Sequence, residues 1–519
     1  MGSGALTKVP QVSSTGRNLL ANYAGKIWSG LCAVLFIPLY VKLLGIEAFG
    51  LIGFYGILLG VLALLDLGFN ATITRELAQS ASDERQGQRL NDLLITVQSF
   101  YWISAGLTAV FVALSAGWLA RNWLNAGALP LATVEQAIML MGLTVSGQML
   151  LGFYSAGLLG LQRHVACNIV NALIATLRFA GAVAILYLLS PSINAFFIWQ
   201  VIATFVGVLV VARLVWRHMP VGRPVFKPAL LRDVWRFTFG IFLTSMLLML
   251  IYQTDKIVMS KMLSLQEFGY YAFAVAVVGF LQNLANPVFV TFFPAFTQKV
   301  AVEHYAELVA QYHRATQLLA VAIIPAGGVL LFLPEPLVLA WTGDALLASN
   351  TSQLISLFGL GTVLHLMTSV PYSLQLAHGW TRLAVLGNLA LFVALVPTLF
   401  FAVRFNGAAG AAMAWMLLNC IHLVGSVGIM HRRLLIGEQA RWYLYDLFPA
   451  AFTVLLVGIV VNQIQAFPLA RVPSAILVCT TYFLFLMGAV LASREIRKLF
   501  IVQLLRLLQS FKTRLREFI

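Results

Sequence analysis

The sequence predicts an all-α polytopic membrane protein of about fourteen transmembrane helices, and three observations carry that expectation. The 519-residue chain is 61% hydrophobic and only 10% charged, with a mean hydropathy of +0.90. A soluble domain carries roughly 25% charged residues, so this much apolar surface needs lipid as its solvent. Apolar runs of membrane-spanning length, about 20 residues, recur from end to end. Positive charge alternates between successive connections, as topology requires of a multi-pass chain.

Breaks at charged or turn-rich residues divide the runs as follows. The first six spans are 19–44, 51–74, 93–119, 134–159, 165–189 and 196–216. The next six are 237–263, 268–293, 314–334, 351–377, 383–403 and 408–430, and two more follow at 447–467 and 474–492. The first run is too long and contains Lys26, which excludes a cleavable signal peptide. With the N-terminus inside, twenty-five Lys and Arg fall on the cytoplasmic side, and only Arg121, Arg404 and Arg471 fall outside. A wrong span count would scramble that alternation, so both termini are expected in the cytoplasm.

The net charge of +15 therefore sets topology and meets anionic membrane lipids, not nucleic acid, for which no binding module is readable. Cys32, Cys167, Cys420 and Cys479 lie inside apolar segments with no CxxC pair, so neither a disulfide framework nor a metal site is expected. No cofactor motif is present. Residues 493–519 alternate apolar and basic positions at helical spacing and read as an amphipathic helix on the inner leaflet.

The chain also repeats itself. Lys42-Leu-Leu-Gly-Ile-Glu-Ala-Phe-Gly50 resembles Lys261-Met-Leu-Ser-Leu-Gln-Glu-Phe-Gly269 at an offset of 219, which also pairs Arg17 with Arg236, Gly160 with Gly379 and Arg163 with Arg382. An even number of spans per copy makes the two copies parallel repeats. The expected organisation is a cytoplasmic segment 1–16, an N-lobe 17–216, a linker 217–235, a C-lobe 236–430, added helices over 431–492 and a basic tail 493–519.

Ionisable residues inside spans are costly and usually face a cavity. Asn18, Asn22 and Lys26 form an i, i+4, i+8 stripe on the first helix, and Asn168, Asn171 and Arg178 share a face of the fifth. Gln253, Asp255 and Lys256 sit inside the seventh span. Asp66 lies deep in the second, with Asn70 four residues on and Arg75 at its cytoplasmic end. His365 and His422 occupy the tenth and twelfth. The bland alternatives are plain: Lys42 and Lys261 snorkel to the interface, Asp255 neutralises a neighbouring cation, Asp66 braces helix packing, and the histidines hydrogen-bond between helices. Lys26, Arg178 and Lys256, with Arg75, favour an electropositive chamber suited to a phosphate or diphosphate. Asn22, Asp66, Asn171, Asp255 and His365 are the polar or ion-coupling candidates.

The stretch from Asn22 to Arg75 contains Pro38-Leu39-Tyr40, Lys42-Leu43-Leu44-Gly45, Ala48-Phe49-Gly50 and Leu65-Asp66-Leu67-Gly68. It resembles the opening of the Wzx-type polysaccharide exporters of the multidrug/oligosaccharidyl-lipid/polysaccharide flippase superfamily. Asp255-Lys256, Phe268-Gly269-Tyr270-Tyr271 and Pro287 resemble that family's seventh and eighth helices. The resemblance implies two six-helix lobes around a cavity whose cations hold the diphosphate of an undecaprenyl-linked oligosaccharide. It further implies transfer of that lipid from the inner to the outer leaflet of a bacterial cytoplasmic membrane by alternating access. The implied partners are a coupling ion (H+ or Na+) and polysaccharide polymerase or chain-length machinery. The two added helices resemble the fourteen-helix exporters, where they help form a lipid groove.

Two other readings compete. A drug or metabolite antiporter on the same plan predicts excess acid in the cavity, which this chain lacks. A polysaccharide polymerase or glycosyltransferase needs a large outer loop or acidic motifs, and no DxD, P-loop, GxSxG or HExxH is present.

Overall fold

The computed structural model describes residues 25, 28–66, 68–80, 87–220, 222–230, 242, 246, 249–250, 253–464, 470–503 and 510. Among the described residues it is helical throughout, and eleven helices are long and apolar enough to cross a membrane. The chain splits into two compact units, Met1–Gly269 and Tyr270–Ile519.

In the first unit, α1 (Trp28–Leu44) turns sharply at Gly45, whose φ of +83° suits glycine, into α2 (Ile46–Leu62). Apart from Glu47, α2 is apolar all round, as a lipid-embedded helix must be. The expected single span over 51–74 is not continuous. A 3-10 turn, Ala63–Asp66, and Gly68 at φ +83° separate α2 from α3 (Phe69–Ser80). Polar Asp66 and a left-handed glycine end the helix where hydropathy alone ran on. Next come α4 (Gly87–Trp118), α5 (Leu131–Gly160), α6 (His164–Leu188) and α7 (Ile193–His218).

Helix α5 is the hub, with 67% of its most apolar stretch buried against 22% for α6. Lipid tails are as apolar as leucine, so helices associate through close packing of small residues rather than by escaping water. A Cβ on Gly160 of α5 would lie 2.8 Å from the Leu77 Cβ and 3.0 Å from the Thr74 carbonyl oxygen of α3. Only glycine permits that approach. Aromatic rings complete the interior, with Tyr101 stacked on Phe153 at 4.6 Å between centroids.

The second unit takes in most of α8 (Leu265–Ala301), then α9 (Tyr305–Phe332), α10 (Pro334–Thr342), α11 (Ala345–Met367) and α12 (Ser369–Ala377). The Asp344 carboxylate caps α11 by accepting from the Leu347 N–H at 3.0 Å. The 54-residue α13 (Thr381–Leu434) has non-helical backbone at Asn406 and at Gly407 (φ +54°), so it consists of two spans joined at a kink. Helix α9 is the hub here, also 67% buried. The last pair, α14 (Phe448–Ile464) and α15 (Arg471–Ala492), packs on it. A Cβ on Gly328 of α9 would lie 2.4 Å from a Val454 methyl of α14 and 3.1 Å from the Phe485 ring of α15. Of the predicted tail helix, residues 494–503 are helical, while 504–509 and 511–519 lie outside the described residues.

A candidate anion-binding pocket

Helices α3 and α5 line a shallow, widely open pocket of about 510 Å3. Asn70, Thr74 and Ala78 recur every fourth residue along α3, with Ala71 and Arg75 beside them. From α5 come Gly152, Ser155, Ala156 and Leu159, spaced to share one face. Alanines and a glycine leave the space, and polar groups furnish it. The Thr74 hydroxyl donates to the Asn70 carbonyl at 2.9 Å and to the Ala156 carbonyl at 3.1 Å, tying the two helices together. Arg75 is exposed at the pocket wall.

Three of the residues singled out in the sequence converge here. Arg75 lines the pocket. Asn171 of α6 reaches it through Ser155, whose hydroxyl donates to Asn171 Oδ1 at 3.3 Å; Asn171 Nδ2 donates in turn to Cys167 Sγ at 3.4 Å. Asp66 connects through Tyr101, whose single hydroxyl contacts Asp66 Oδ1 and, at 3.1 Å, Asn70 Oδ1. Tyr101 is 1% exposed, so this carboxylate is tethered at the break between α2 and α3 rather than presented from mid-helix.

The other candidates lie elsewhere. Arg178, seven residues beyond Asn171 on the same face of α6, donates from Nε to Gln200 Oε1 at 2.9 Å and from a terminal nitrogen to the Tyr55 hydroxyl at 3.4 Å. Gln200 Nε2 returns a bond to the Arg178 carbonyl at 3.1 Å. Arg178 forms no ion pair among the described residues, so neutral acceptors hold its full positive charge in place. Lys256 donates to Gln253 Oε1 at 3.3 Å, and it and Asp255 are half-buried. Gln253 crowds Gly60 of α2, where a Cβ would meet its amide nitrogen at 2.0 Å. His365 belongs to the second unit, its Nδ1 3.0 Å from Asn419 Oδ1 and its ring 5.6 Å from that of Trp415. Asn22 and Lys26 lie outside the described residues.

Sequence reasoning passed over Tyr101, Thr74, Ser155 and Gln200. Gln200 carried a usable signal, a primary amide inside a predicted span. The hydroxyl residues carried none, because tyrosine, threonine and serine are common in apolar helices.

Residues 15–300 match the family described as polysaccharide biosynthesis protein. A relative from Shigella flexneri, described as "Putative O-antigen transporter", is 19% identical over 399 residues, covering 77% of this chain and 93% of its own. Among solved structures, a lipid II flippase MurJ in an inward closed conformation superposes with a TM-score of 0.65 at 12% identity, covering 90% of this chain and 97% of that one. An inward-facing multidrug resistance MATE family transporter of the MOP superfamily gives 0.62 at 12% identity, covering 78% and 94%. At these identities the structural likeness speaks to the fold alone, and the fold is that of these multi-helix membrane proteins. The family match spans more than half of the sequence, so the chain is a multi-pass membrane protein that belongs to the polysaccharide biosynthesis protein family.

Proposed function

We propose that this protein is a flippase for a polyprenyl-diphosphate-linked oligosaccharide. It carries the saccharide unit from the inner to the outer leaflet of a bacterial cytoplasmic membrane, with both termini on the cytoplasmic side. The observation that carries the proposal is the pocket between α3 and α5, where Arg75 stands among the uncharged hydrogen-bonding groups of Asn70, Thr74 and Ser155. A planar guanidinium offers paired donors to phosphate oxygens, the Asn70 amide can add a donor, and the surrounding groups carry no negative charge to repel the anion. Arg178, held by Gln200 and Tyr55 and in no ion pair among the described residues, raises the positive potential of the same unit. Family membership and the described role of the Shigella flexneri relative support the substrate class.

In this reading Lys26 and Lys256 add binding charge, and Asn22 and Asn171 line the path. Asp66, Asp255 and His365 balance charge or bind the coupling ion. The lobes 17–216 and 236–430 supply alternating exposure of the site to the two leaflets, driven by an H+ or Na+ gradient. Polysaccharide polymerase or chain-length proteins then receive the product.

The test is reconstitution into proteoliposomes with a fluorescent lipid-linked oligosaccharide, following its appearance in the outer leaflet. A charge-assisted hydrogen bond is worth about 1.5–3 kcal/mol, so Arg75→Ala is expected to slow transfer roughly tenfold or more. Arg75→Lys keeps the charge without the fork and recovers part of the rate. Unchanged transfer in an Arg75→Ala, Arg178→Ala double variant would overturn the proposal. Efflux of cationic drugs by the wild type, without lipid transfer, would favour an antiporter instead.

A further inference from the structure

The second unit contains a polar cluster that the transport reading does not use. His313, in the third turn of α9, is 2% exposed, and both of its ring nitrogens face carboxylates. Nδ1 lies 2.5 Å from Asp446 Oδ2, and Nε2 lies 3.0 Å from Glu438 Oε2. Asp446 is 1% exposed and sits in a π-helical turn, Trp442–Leu447, that leads into α14. Such turns are rare and recur at functional sites. Gln317, one turn along α9, donates to Asp446 Oδ1 at 2.8 Å and accepts from the Glu495 N–H beyond α15 at 2.8 Å. One cluster therefore ties α9 to the start of α14 and the end of α15.

Donor counting decides its protonation. A neutral imidazole has one N–H and ionised carboxylates have none, yet two nitrogen–oxygen contacts are made. Both are hydrogen bonds only if the cluster holds one more proton than a neutral ring and two carboxylates. Without that proton a ring lone pair faces a carboxylate inside the protein, where unpaired polar groups are expensive.

The neighbouring groups do not supply the missing proton. Arg441 donates to Glu438 Oε2 at 3.4 Å and is a permanent cation. His431 of α13 lies 2.9 Å from the Val427 carbonyl through Nδ1 and 3.3 Å from the Tyr312 hydroxyl through Nε2, which suits a neutral tautomer protonated at Nδ1. The Glu495 side chain pairs with Lys498 at 3.0 Å. With His313 as imidazolium, the charges of His313, Arg441, Asp446 and Glu438 cancel. No group of acidic, histidine or cysteine residues among those described is arranged to hold a metal ion. The Glu438 side chain is 26% exposed and offers the route to solvent.

We propose that His313, Asp446 and Glu438 form a proton-binding site, distinct from the anion pocket, in which an imidazolium clasps the last two helices to α9. The experiment uses the full chain in nanodiscs with 15N-labelled histidine, at slightly alkaline pH, where an exposed histidine (ordinary pKa about 6.5) is neutral. The His313 ring, assigned by its loss in His313→Gln, is expected to show two protonated nitrogens. In Asp446→Asn, whose Oδ1 can keep accepting from Gln317 while its amide NH2 donates to Nδ1, packing is preserved if His313→Gln does not fold, and the ring is expected to become neutral. Hydrogen-exchange protection factors over 448–464 should then fall with rising pH in the wild type, by at most tenfold per pH unit for one linked proton. They should be flat in Asp446→Asn. A neutral His313 ring in the wild type, or wild-type protection that ignores pH, would overturn the proposal.

Discussion

Replacing Gly50 by alanine tests the closest backbone packing in the first unit. A Cβ at Gly50 of α2 would lie 2.5 Å from the Leu265 carbonyl oxygen, in the first turn of α8, and 3.3 Å from the Gly269 nitrogen. A Cβ at Gly269 would lie 2.2 Å from the Ile46 carbonyl oxygen. The contact is reciprocal at the offset of 219 read from the sequence, since Ile46 corresponds to Leu265 and Gly50 to Gly269. An ordinary contact begins near 3.4 Å, so the backbones must part by about 0.9 Å at Gly50 and about 1.2 Å at Gly269. The opposing atoms are main-chain carbonyls, and no rotamer change can relieve the clash. Overpacking of this kind costs about 1–3 kcal/mol, against about 1 kcal/mol that alanine gains over glycine in a helix. The net expectation is a loss of up to about 2 kcal/mol for Gly50→Ala and more for Gly269→Ala. Gly56, on the same helix with nothing within 4 Å of its Cβ position, supplies the control. Gly56→Ala should be neutral or stabilising by up to about 1 kcal/mol. The assay is thermal unfolding of the purified protein in one detergent. A Gly50→Ala midpoint at or above both the wild type and Gly56→Ala would refute the packing argument.

Other perturbations follow from the same contacts. Asp92, fully buried at the start of α4, holds the segment after α7: Lys227 pairs with it at 2.6 Å and the Val225 N–H donates to it at 2.8 Å, while the Lys227 N–H donates to Thr96 at 2.9 Å. Asp92→Asn should loosen residues 222–230, and losing about 1.5–3 kcal/mol of charged hydrogen bonding should speed hydrogen exchange at the Val225 and Lys227 amides about tenfold or more. Exchange at the wild-type rate would show that the carboxylate is not the anchor. Tyr101→Phe removes the one hydroxyl shared by Asp66 and Asn70, and should cost about 1–3 kcal/mol in thermal stability through the hydrogen bond lost by Asp66, which keeps its bonds from the Gly68 and Asn70 backbone. If the stability is unchanged but oligosaccharide transfer falls, the tyrosine serves the pocket and not the fold.

Hydropathy read the membrane class because the bilayer leaves few solutions: each apolar run must satisfy its backbone within a helix of fixed length. Predicted and observed helices agree where a charge or glycine punctuates the run, as at 165–189 against His164–Leu188 and at 474–492 against Arg471–Ala492. They part company inside runs. Within 51–74 a single acid, Asp66, and Gly68 are too few to lower the apolar average of the run, so hydropathy ran on through a 3-10 turn that scores like a helix. Asn406-Gly407, a turn signal that the span list respected, is where the longest helix bends.

For the candidate site, polar and charged residues inside apolar runs were the guide, since an ionisable group in lipid needs a reason. That logic found Arg75, Arg178, Asp66 and Asn171 one at a time. Their grouping was beyond it. Arg75 and Asp66 are linked through Asn70 and Tyr101, and Asn171 through Ser155, by contacts across 16 to 35 residues that no periodicity encodes. Nor did any pattern join His313 to Asp446, which are 133 residues apart, the first beside a predicted span boundary and the second just ahead of the thirteenth span. The one-dimensional pattern determines which segments enter the membrane, because that depends on each segment's own transfer free energy. Which polar groups then share a proton, an anion or a hydrogen bond depends on which helices pack together, and small differences in side-chain volume at residues such as Gly160 and Gly328 decide that only in three dimensions.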